Sequence, residues 1–215
     1  MRILITSGPT RQYLDPVRYL SNASSGRMGA ALALAVLERG GMPVVVSGPV
    51  GIDYPEGAEV HRVETTVEML EAARSLFGEC DGVIGAAAPC DFQPETVARE
   101  KIAKHPDRTP YRLQLVETPD ILAELAKTKR ADQWIIAFAL ETEDSYRHAV
   151  EKIRKKGADL VVLNGPASID AVTTDVSLID SRGRIRAELH DTKEQVARAI
   201  LRHIAAFDAC RTNVD

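Results

Sequence analysis

Residues 134–165 read WIIAFALETEDSYRHAVEKIRKKGADLVVLNG, and this stretch decides the fold class. "WIIAFAL" is an unbroken apolar run of strand length, as a strand buried on both faces requires. "SYRHAVEKIRKKG" places its apolar residues at helical spacing and stops on Gly157, a helix-ending signal. "DLVVLNG" is a second apolar run. A strand, a helix and another strand in this order predict two parallel strands joined by a crossover helix.

The same grammar extends in both directions. Upstream, "RILIT" (Arg2 to Thr6) is a strand, and a helix from about Gly29 to Arg39 ends on Gly40 and Gly41. "MPVVVSGP" and "AEVHRVET" are the next strands, and a helix capped at Thr65 or Thr66 runs through Phe77. "DGVIGAAA" is another buried strand. Residues 89–110 carry proline and charge without a period and read as a long loop. "YRLQLVE" alternates like a strand, and "TPDILAELAKT" reads as a helix with Thr118 as N-cap and Pro119 at its first position. Downstream, "VSLIDSRGRIRAEL" is a β-hairpin turning at Ser181 to Gly183. "TKEQVARAILRHI" is a closing helix whose Thr192 and Gln195 fit a capping box. The expectation is one α/β domain over residues 1–207, with a frayed tail at 208–215. Its mostly parallel sheet has helices on both faces and ends in a hairpin plus helix. Such sheets take ligands at the carboxyl ends of their strands.

Composition narrows the function classes. The 215 residues carry a formal net charge of −4, 45% apolar and 27% charged residues, ordinary for a globular chain and unlike a nucleic-acid-binding tract. No apolar run approaches membrane-span length, and the chain enters a strand at once with no basic leader. Cys80, Cys90 and Cys210 form no C-x-x-C pair and read as reduced thiols of a cytoplasmic protein. His61, His105, His148, His190 and His203 show no metal-ligand spacing.

The chemistry-bearing residues fall just after strands. Residues 21–29, "SNASSGRMG", precede the first helix. Small residues at a helix start let an anion approach backbone N–H groups and the positive end of the dipole. A serine cap would explain Ser24 or Ser25 equally well, but it does not account for Asn22. The glycines come too late after the first strand for a dinucleotide turn of the G-x-G-x-x-G type. Asp91 follows "DGVIG", with Lys101 ten positions on. Lys152 and Lys156 share one helix face, where like charges repel unless an anion bridges them. Pro119 and Asp120 open a helix, Phe138 lies in a strand, and Asn164 closes one. Capping, core packing and solvation explain each of these singly. Together they describe a site for a nucleotide-sized polyanion, without the G-x-x-x-x-G-K-[ST] phosphate loop.

The order and spacing of "ITSGPT", "DPVRYLSNASSGRMG", "AAAPCDF", "EKIAK", "TPDIL", "AFALET" and "KGADLVVLNG" resemble the phosphopantothenoylcysteine synthetase domain family of coenzyme A biosynthesis. The resemblance spans about residues 2–200. It implies a Rossmann-like fold and a ligase that joins 4′-phosphopantothenate to L-cysteine. A nucleoside triphosphate, CTP or ATP, activates the carboxylate as an acyl-nucleotidylate, with Mg²⁺ required and no flavin. It implies a homodimer. In many bacteria the domain is fused behind a flavin-dependent decarboxylase; since no upstream segment of this sequence could be one, the expectation is a free-standing, cytoplasmic form with a separate decarboxylase acting next.

Carried over position by position, the resemblance implies that Gly8, Arg18, Ser24, Gly26 and Gly29 bind phosphopantothenate, with Asn22 on the activated acyl group. Gly85, Ala86, Ala87 and Asp91 match nucleotide contacts. Pro119, Asp120, Ile121, Leu122 and Phe138 match the base and sugar pocket. Lys101 matches a loop lysine that meets the phosphates during activation, Lys152 and Lys156 match lysines on the triphosphate, and Asn164 matches a site asparagine. No metal ligand is assigned. Gly8-Pro9 stands where the family usually has Gly-Gly, Ala137 and Leu140 replace Gly and Ala, and "DAVTTDVSLID" lacks the family's usual Phe-x-Ser-Asp-x-Asn pattern. Two other classes compete: a Rossmann oxidoreductase, whose tight glycine turn and Tyr-x-x-x-Lys pair are missing, and a non-catalytic nucleotide-binding module.

Overall fold

A computed structural model of the chain describes residues 1–104, 106, 110–140, 145–165 and 173–211. His105, residues 141–142 after "WIIAFAL", the start of "DAVTTDVSLID" and residues 212–215 of the tail lie outside the described residues, as does the side chain of Cys210.

Eight strands form the main sheet. Those from the parallel units are β1 (Arg2–Ser7), β4 (Met42–Ser47), β5 (Glu59–Arg62), β6 (Gly82–Gly85), β9 (Trp134–Leu140) and β10 (Leu160–Asn164). The hairpin supplies β11 (Thr173–Asp180) and β12 (Ile185–Thr192), and the spatial order is β12-β11-β10-β9-β6-β1-β4-β5. The six strands from β5 to β10 pair in parallel, while β11 and β12 are antiparallel. Numbered along the chain, the parallel strands run 3-2-1-4-5-6. This is the doubly wound order, and its direction reverses between β1 and β6. The Rossmann-like expectation is therefore met.

Helices cover both faces. The apolar residues of β1 alternate accordingly: Ile3 and Ile5 pack on α1 (Arg27–Glu38) and α5 (Lys193–Arg211), whereas Leu4 packs on the opposite layer. That layer holds α2 (Thr66–Phe77), α3 (Ile121–Ala126) and α4 (Ser145–Lys156). Leu32, Val36 and Ile200 are buried on one side, and Met69, Leu125 and Ile153 on the other. Each such side chain contributes about 1.5–3 kcal/mol when removed from water.

Four expectations change. Residues 89–110 are not all loop: β7 (Phe92–Pro94) pairs antiparallel with β8 (Leu115–Glu117), the end of "YRLQLVE". The long connection after β1 holds a second small pair, β2 (Arg11–Tyr13) with β3 (Tyr19–Ser21). α3 is capped by Asp120, not Thr118; the Asp120 carboxylate accepts from Ala123 N at 3.2 Å. The Thr118 hydroxyl instead donates to the Cys90 carbonyl at 2.6 Å. α5 runs on to Arg211, beyond the point where the tail was expected to fray. Thr65 caps α2 in a full capping box, as one of the two alternatives required.

Candidate active site

At the topological reversal, the chain leaves β1 through Gly8 and leaves β6 through Ala86 and Ala87. Ala88 N donates to the Gly8 carbonyl at 2.9 Å, so the two exits are laced together. Gly8 has φ +74°, a left-handed conformation that an L side chain resists, and a Cβ there would lie 2.7 Å from Val50 Cγ1. Above this point a cleft opens in two branches.

The first branch, about 480 Å³, is lined by the start of α1, the Ala86 to Pro89 turn, and the carboxyl ends of β9 and β10. Ser24, Gly26, Gly29, Lys152 and Asn164 line it. The serine-cap alternative fails: the α1 N-cap is Gly26, at φ +76°, with no side-chain cap and no acidic residue in the first turn. Among the described residues, no side chain caps the opening N–H groups of this helix. Gly29 serves packing. A Cβ there would sit 2.0 Å from Ser7 Oγ, so the helix lies directly on β1. Asn22 ties the two lips together, its Nδ2 donating to Pro89 O at 2.9 Å and Ala88 O at 3.4 Å.

The second branch, about 320 Å³, is lined by Gly85, Ala87, Asp91 and the Glu117 to Leu122 turn, which includes Pro119, Asp120 and Ile121. Ala87, Pro89, Asp91, Phe138 and Lys156 line both branches and mark where they meet. A Cβ on Gly85 would lie 2.6 Å from Leu122 Cδ1, so only glycine lets α3 close this wall. Lys156 Nζ pairs with Asp120 Oδ2 at 2.8 Å. A buried hydroxyl network supports the floor. Cys90 N donates to Thr10 Oγ1 at 2.9 Å, Thr10 and Thr66 hydroxyls meet at 2.8 Å, and Thr66 and Thr118 both donate to the Cys90 carbonyl. Burial pushes the Cys90 thiol up from its ordinary range, which suits a small packed residue and not a nucleophile.

Three expected site residues lie outside both linings: Gly8, just past the end of β1, Lys101 and Arg18. Lys101 is exposed, and Arg18 is engaged elsewhere. Asp15, fully buried, accepts from Val17 N and Arg18 N at 2.8 Å and from Ile102 N at 3.1 Å, and pairs with the Arg18 guanidinium at 2.9 Å. Arg18 also donates to the Ile102 carbonyl. Burial alone would raise the Asp15 pKa. The N–H groups of Val17, Ile102 and Arg18, with the Arg18 charge, hold it below the usual carboxylate value. Ala98 N donates to Leu14 O at 2.9 Å. The Lys101 segment is thus pinned on both sides by the β2–β3 turn, and Arg18 is one of the pins.

Sequence reasoning missed Thr174 and Lys193, which line the first branch although they are only 3% and 8% exposed. The one available signal was a lysine just after the capping Thr192, where a helix start favours acid. No group of three or more His, Cys, Asp or Glu among the described residues could hold a metal ion. No helix among them is long and apolar enough to cross a membrane.

Fold and cleft define a doubly wound α/β protein with a cleft at its switch point lined by Arg27, Lys152, Lys156 and Lys193. The chain belongs to the DNA/pantothenate metabolism flavoprotein C-terminal domain family, whose profile matches residues 1–207. It is 39% identical over 210 residues to the coenzyme A biosynthesis bifunctional protein CoaBC of Bacillus subtilis, covering 95% of this chain and 51% of that one. A cysteine/cysteine sulfinic acid decarboxylase from an unknown prokaryotic organism is 38% identical over 209 residues, covering 94% and 57%. The chain thus spans about half the length of these curated relatives. The crystal structure of the C-terminal domain of a CoaBC superposes with TM-score 0.81 at 35% identity, covering 96% of this chain and 94% of that one. A Cab2 complex with phosphopantothenate-cysteine shares the fold, with TM-score 0.76 at 18% identity, covering 99% and 89%.

Proposed function

We propose that the chain is a phosphopantothenate–cysteine ligase of coenzyme A biosynthesis. The observation that carries this reading is the two-branched cleft, whose branches meet at Asp91, Phe138 and Lys156. A reaction that joins an acyl phosphate ester to a nucleotide needs two anion-tolerant pockets sharing one junction. In the first step a carboxylate oxygen of 4′-phosphopantothenate attacks the α-phosphorus of the triphosphate, and pyrophosphate leaves. In the second the amine of L-cysteine attacks the acyl carbon, losing a proton, and the nucleoside monophosphate leaves. Neither step changes oxidation state, so the reaction needs no flavin. The CoaBC relatives and the Cab2 complex with phosphopantothenate-cysteine are consistent with these substrates.

In this reading Gly8, Ser24, Gly26 and Gly29 border phosphopantothenate, and Asn22 holds the acyl group at the junction. Gly85 to Ala87 and Asp91 meet the nucleotide. Pro119 to Leu122 and Phe138 enclose its base and sugar, and Lys152 and Lys156 neutralise its phosphates. Lys101 swings in from its pinned segment as pyrophosphate forms. Arg18 acts through that segment, not on the substrate. The small second branch favours a pyrimidine, hence CTP. Magnesium binds through one or two carboxylates plus phosphate oxygens and water, and Asp91 offers a carboxylate shared by both branches. The ion would lower the charge of the phosphates there.

Exposed Phe92, Leu115 and Val116 on the β7–β8 ribbon are where a second copy would seat to form the proposed dimer. The product keeps the carboxylate of cysteine, which a separate flavin-dependent decarboxylase would remove. The assigned compartment is the cytoplasm. The test is pyrophosphate release with CTP or ATP, with phosphopantothenate and cysteine each present or omitted. Release that requires phosphopantothenate, and amide that requires cysteine, are the expected results. No release under any combination rejects the ligase, and equal kcat/KM for ATP and CTP rejects the nucleotide assignment.

A further inference from the structure

We infer that Asp15 is a positioning residue for the activation step: it holds the main chain from which Lys101 meets the leaving pyrophosphate. The inference rests on the ligase reading and adds the residue that fixes the base from which Lys101 moves.

Asp15 sits in the turn that joins β2 to β3 and lines neither branch of the cleft. Its Oδ1 is used locally, accepting from Val17 N and Arg18 N, each at 2.8 Å. An aspartate that only shaped this turn would be finished there, because an Asx turn needs one oxygen and can stay in water. Asp15 is instead fully buried, and a carboxylate is kept in that state only when its remaining lone pairs are also satisfied. Oδ2 finds its partner far along the chain: Ile102 N donates to it at 3.1 Å. The Arg18 guanidinium completes the set. Its Nη2 lies 2.9 Å from Asp15 Oδ2 and also donates to the Ile102 carbonyl.

The result is a closed ring. Asp15 takes the N–H of Ile102, Arg18 takes its C=O, and the two charges hold each other. This grip touches no side chain of the segment, so it fixes a place on the backbone and builds no packing surface. Surface loops usually turn these backbone groups to water. Residues 95–104 form neither helix nor strand, so such contacts decide where the segment lies. The gripped residue directly follows Lys101, whose Cα is therefore held about 3.8 Å from a clamped one. Lys101 itself stays exposed.

The same ribbon reaches the chemistry at its other end. β3 closes on Ser21, whose Oγ donates to Thr10 O at 2.9 Å, and the next residue is Asn22. One ribbon thus carries the Lys101 clamp at its tip and, at its foot, the asparagine assigned to the acyl group. Loss of Asp15 frees the tip alone. Activation should suffer, while substrate binding should not.

The experiment compares wild type with Asp15→Asn, Lys101→Ala and the double variant, and uses Arg18→Lys as a second way into the ring. Asparagine keeps the oxygen that the turn uses but sets an amide N–H against Ile102 N–H and the guanidinium. Lysine keeps the charge without the planar fork. Trypsin cleavage after Lys101, located by mass spectrometry, reports the clamp without any turnover. Asp15→Asn should speed it about tenfold, as loss of a charged hydrogen bond does for a local opening, with cleavage elsewhere unchanged. First-turnover pyrophosphate formation should fall about 10- to 100-fold in Asp15→Asn, as small misplacements cause. In the Lys101→Ala background the same substitution should change that rate less than about twofold, because groups that act as a unit are not additive. Calorimetric affinities for 4′-phosphopantothenate and CTP should hold. Arg18→Lys should shift cleavage and rate in the same direction by less, and it decides by the same readouts if Asp15→Asn does not fold.

Unchanged cleavage at Lys101 would overturn the clamp. Faster cleavage at every site alike would overturn it by making Asp15 a residue of general stability. Faster cleavage at Lys101 with normal pyrophosphate formation would overturn the positioning role, and so would a normal rate in Lys101→Ala. Losses that multiply in the double variant would overturn it by sending Asp15 through a route other than Lys101. Wild type that releases no pyrophosphate would reject the ligase reading and the positioning role with it, even where cleavage responds.

Discussion

Two helix starts face the cleft, and they are finished in opposite ways. α1 begins on Gly26 with no side chain over its first N–H groups. α3 begins on Asp120, whose carboxylate caps Ala123 N and holds Lys156 at 2.8 Å. One start carries no side-chain cap; the other carries its own anion and its own cation. A ligand adds to the first, but at the second it has to exchange partners. The open start therefore suits a group that must bind and stay. The filled one suits phosphates that arrive, react and leave.

The largest expected effect tests whether either start supplies the charge that activation needs. On the proposed reaction, the leaving pyrophosphate gains negative charge that a mobile cation should meet. Lys101→Ala should slow pyrophosphate formation by about 10²–10³, the usual cost of one electrostatic contact in a transition state. Phosphopantothenate affinity should hold. Rapid-quench measurement of the first turnover checks this, and an unchanged rate leaves Lys101 as a solvated surface residue.

Next comes the tie between the segment before α1 and the turn after β6. Asn22 holds Pro89, which lines both branches, so its loss should misplace the acyl carbon more than it impairs activation. Asn22→Ala should still form acyl-nucleotidylate, yet pass it to cysteine roughly 10–100 times more slowly, as small errors in attack geometry do. Quenched reactions with radiolabelled phosphopantothenate should show the intermediate accumulating. Absence of both intermediate and product in a folded variant would move Asn22 to the earlier step.

Gly29→Ala attacks the open start itself. The added methyl meets Ser7 Oγ at 2.0 Å and must push α1 off β1. Overpacking of this kind costs about 1–3 kcal/mol, which is a drop of several degrees in Tm for a chain of this size. A melting curve equal to wild type would show that the helix start shifts freely.

The smallest effect belongs to the filled start. Asp120→Asn keeps a capping oxygen but discharges the partner of Lys156. That pair is partly exposed and worth about 0.2–1 kcal/mol, so CTP should bind up to about fivefold more tightly. Weaker binding instead would mean that the negative charge of Asp120 serves the nucleotide more than it competes for Lys156.

How legible these features were depended on distance along the chain. The parallel strands could be read because Val44 to Val46, Ile135 to Ala139 and Leu160 to Val162 are unbroken apolar runs, which a sheet covered on both faces demands. The hairpin could be read from its alternation and the Thr192 cap. Of the β7–β8 ribbon, β8 could be read from the alternation of "YRLQLVE", but β7 could not: Phe92 is exposed, Pro94 lies within it, and three residues carry no period. The α3 cap was misplaced by two residues because Thr118 and Asp120 both carry capping oxygens, and only the fold sends Thr118 to Cys90. At the site, Asp91 and the α4 lysines were legible because they follow a strand or share a helix face, and Asn22 because a serine cap left it unexplained. Asp15 was not, since its partner Ile102 lies 87 positions away. Thr174 and Lys193 reach the cleft only through the antiparallel return of β11 and β12.

The bracket around Lys101 has a kinetic side. Ala98 and Ile102 are both fastened to the Leu14–Arg18 turn, leaving Arg99, Glu100 and Lys101 between the fixed points. An extended chain spans at most about 3.3–3.6 Å per residue, so the backbone slack is on the order of 10 Å. With Lys101 reaching the cleft, as the proposed reaction requires, so short a leash would set its effective concentration there on the order of millimolar or above. On the proposed reaction, the loop then releases pyrophosphate without surrendering the lysine, and the next turnover starts with its charge already at hand.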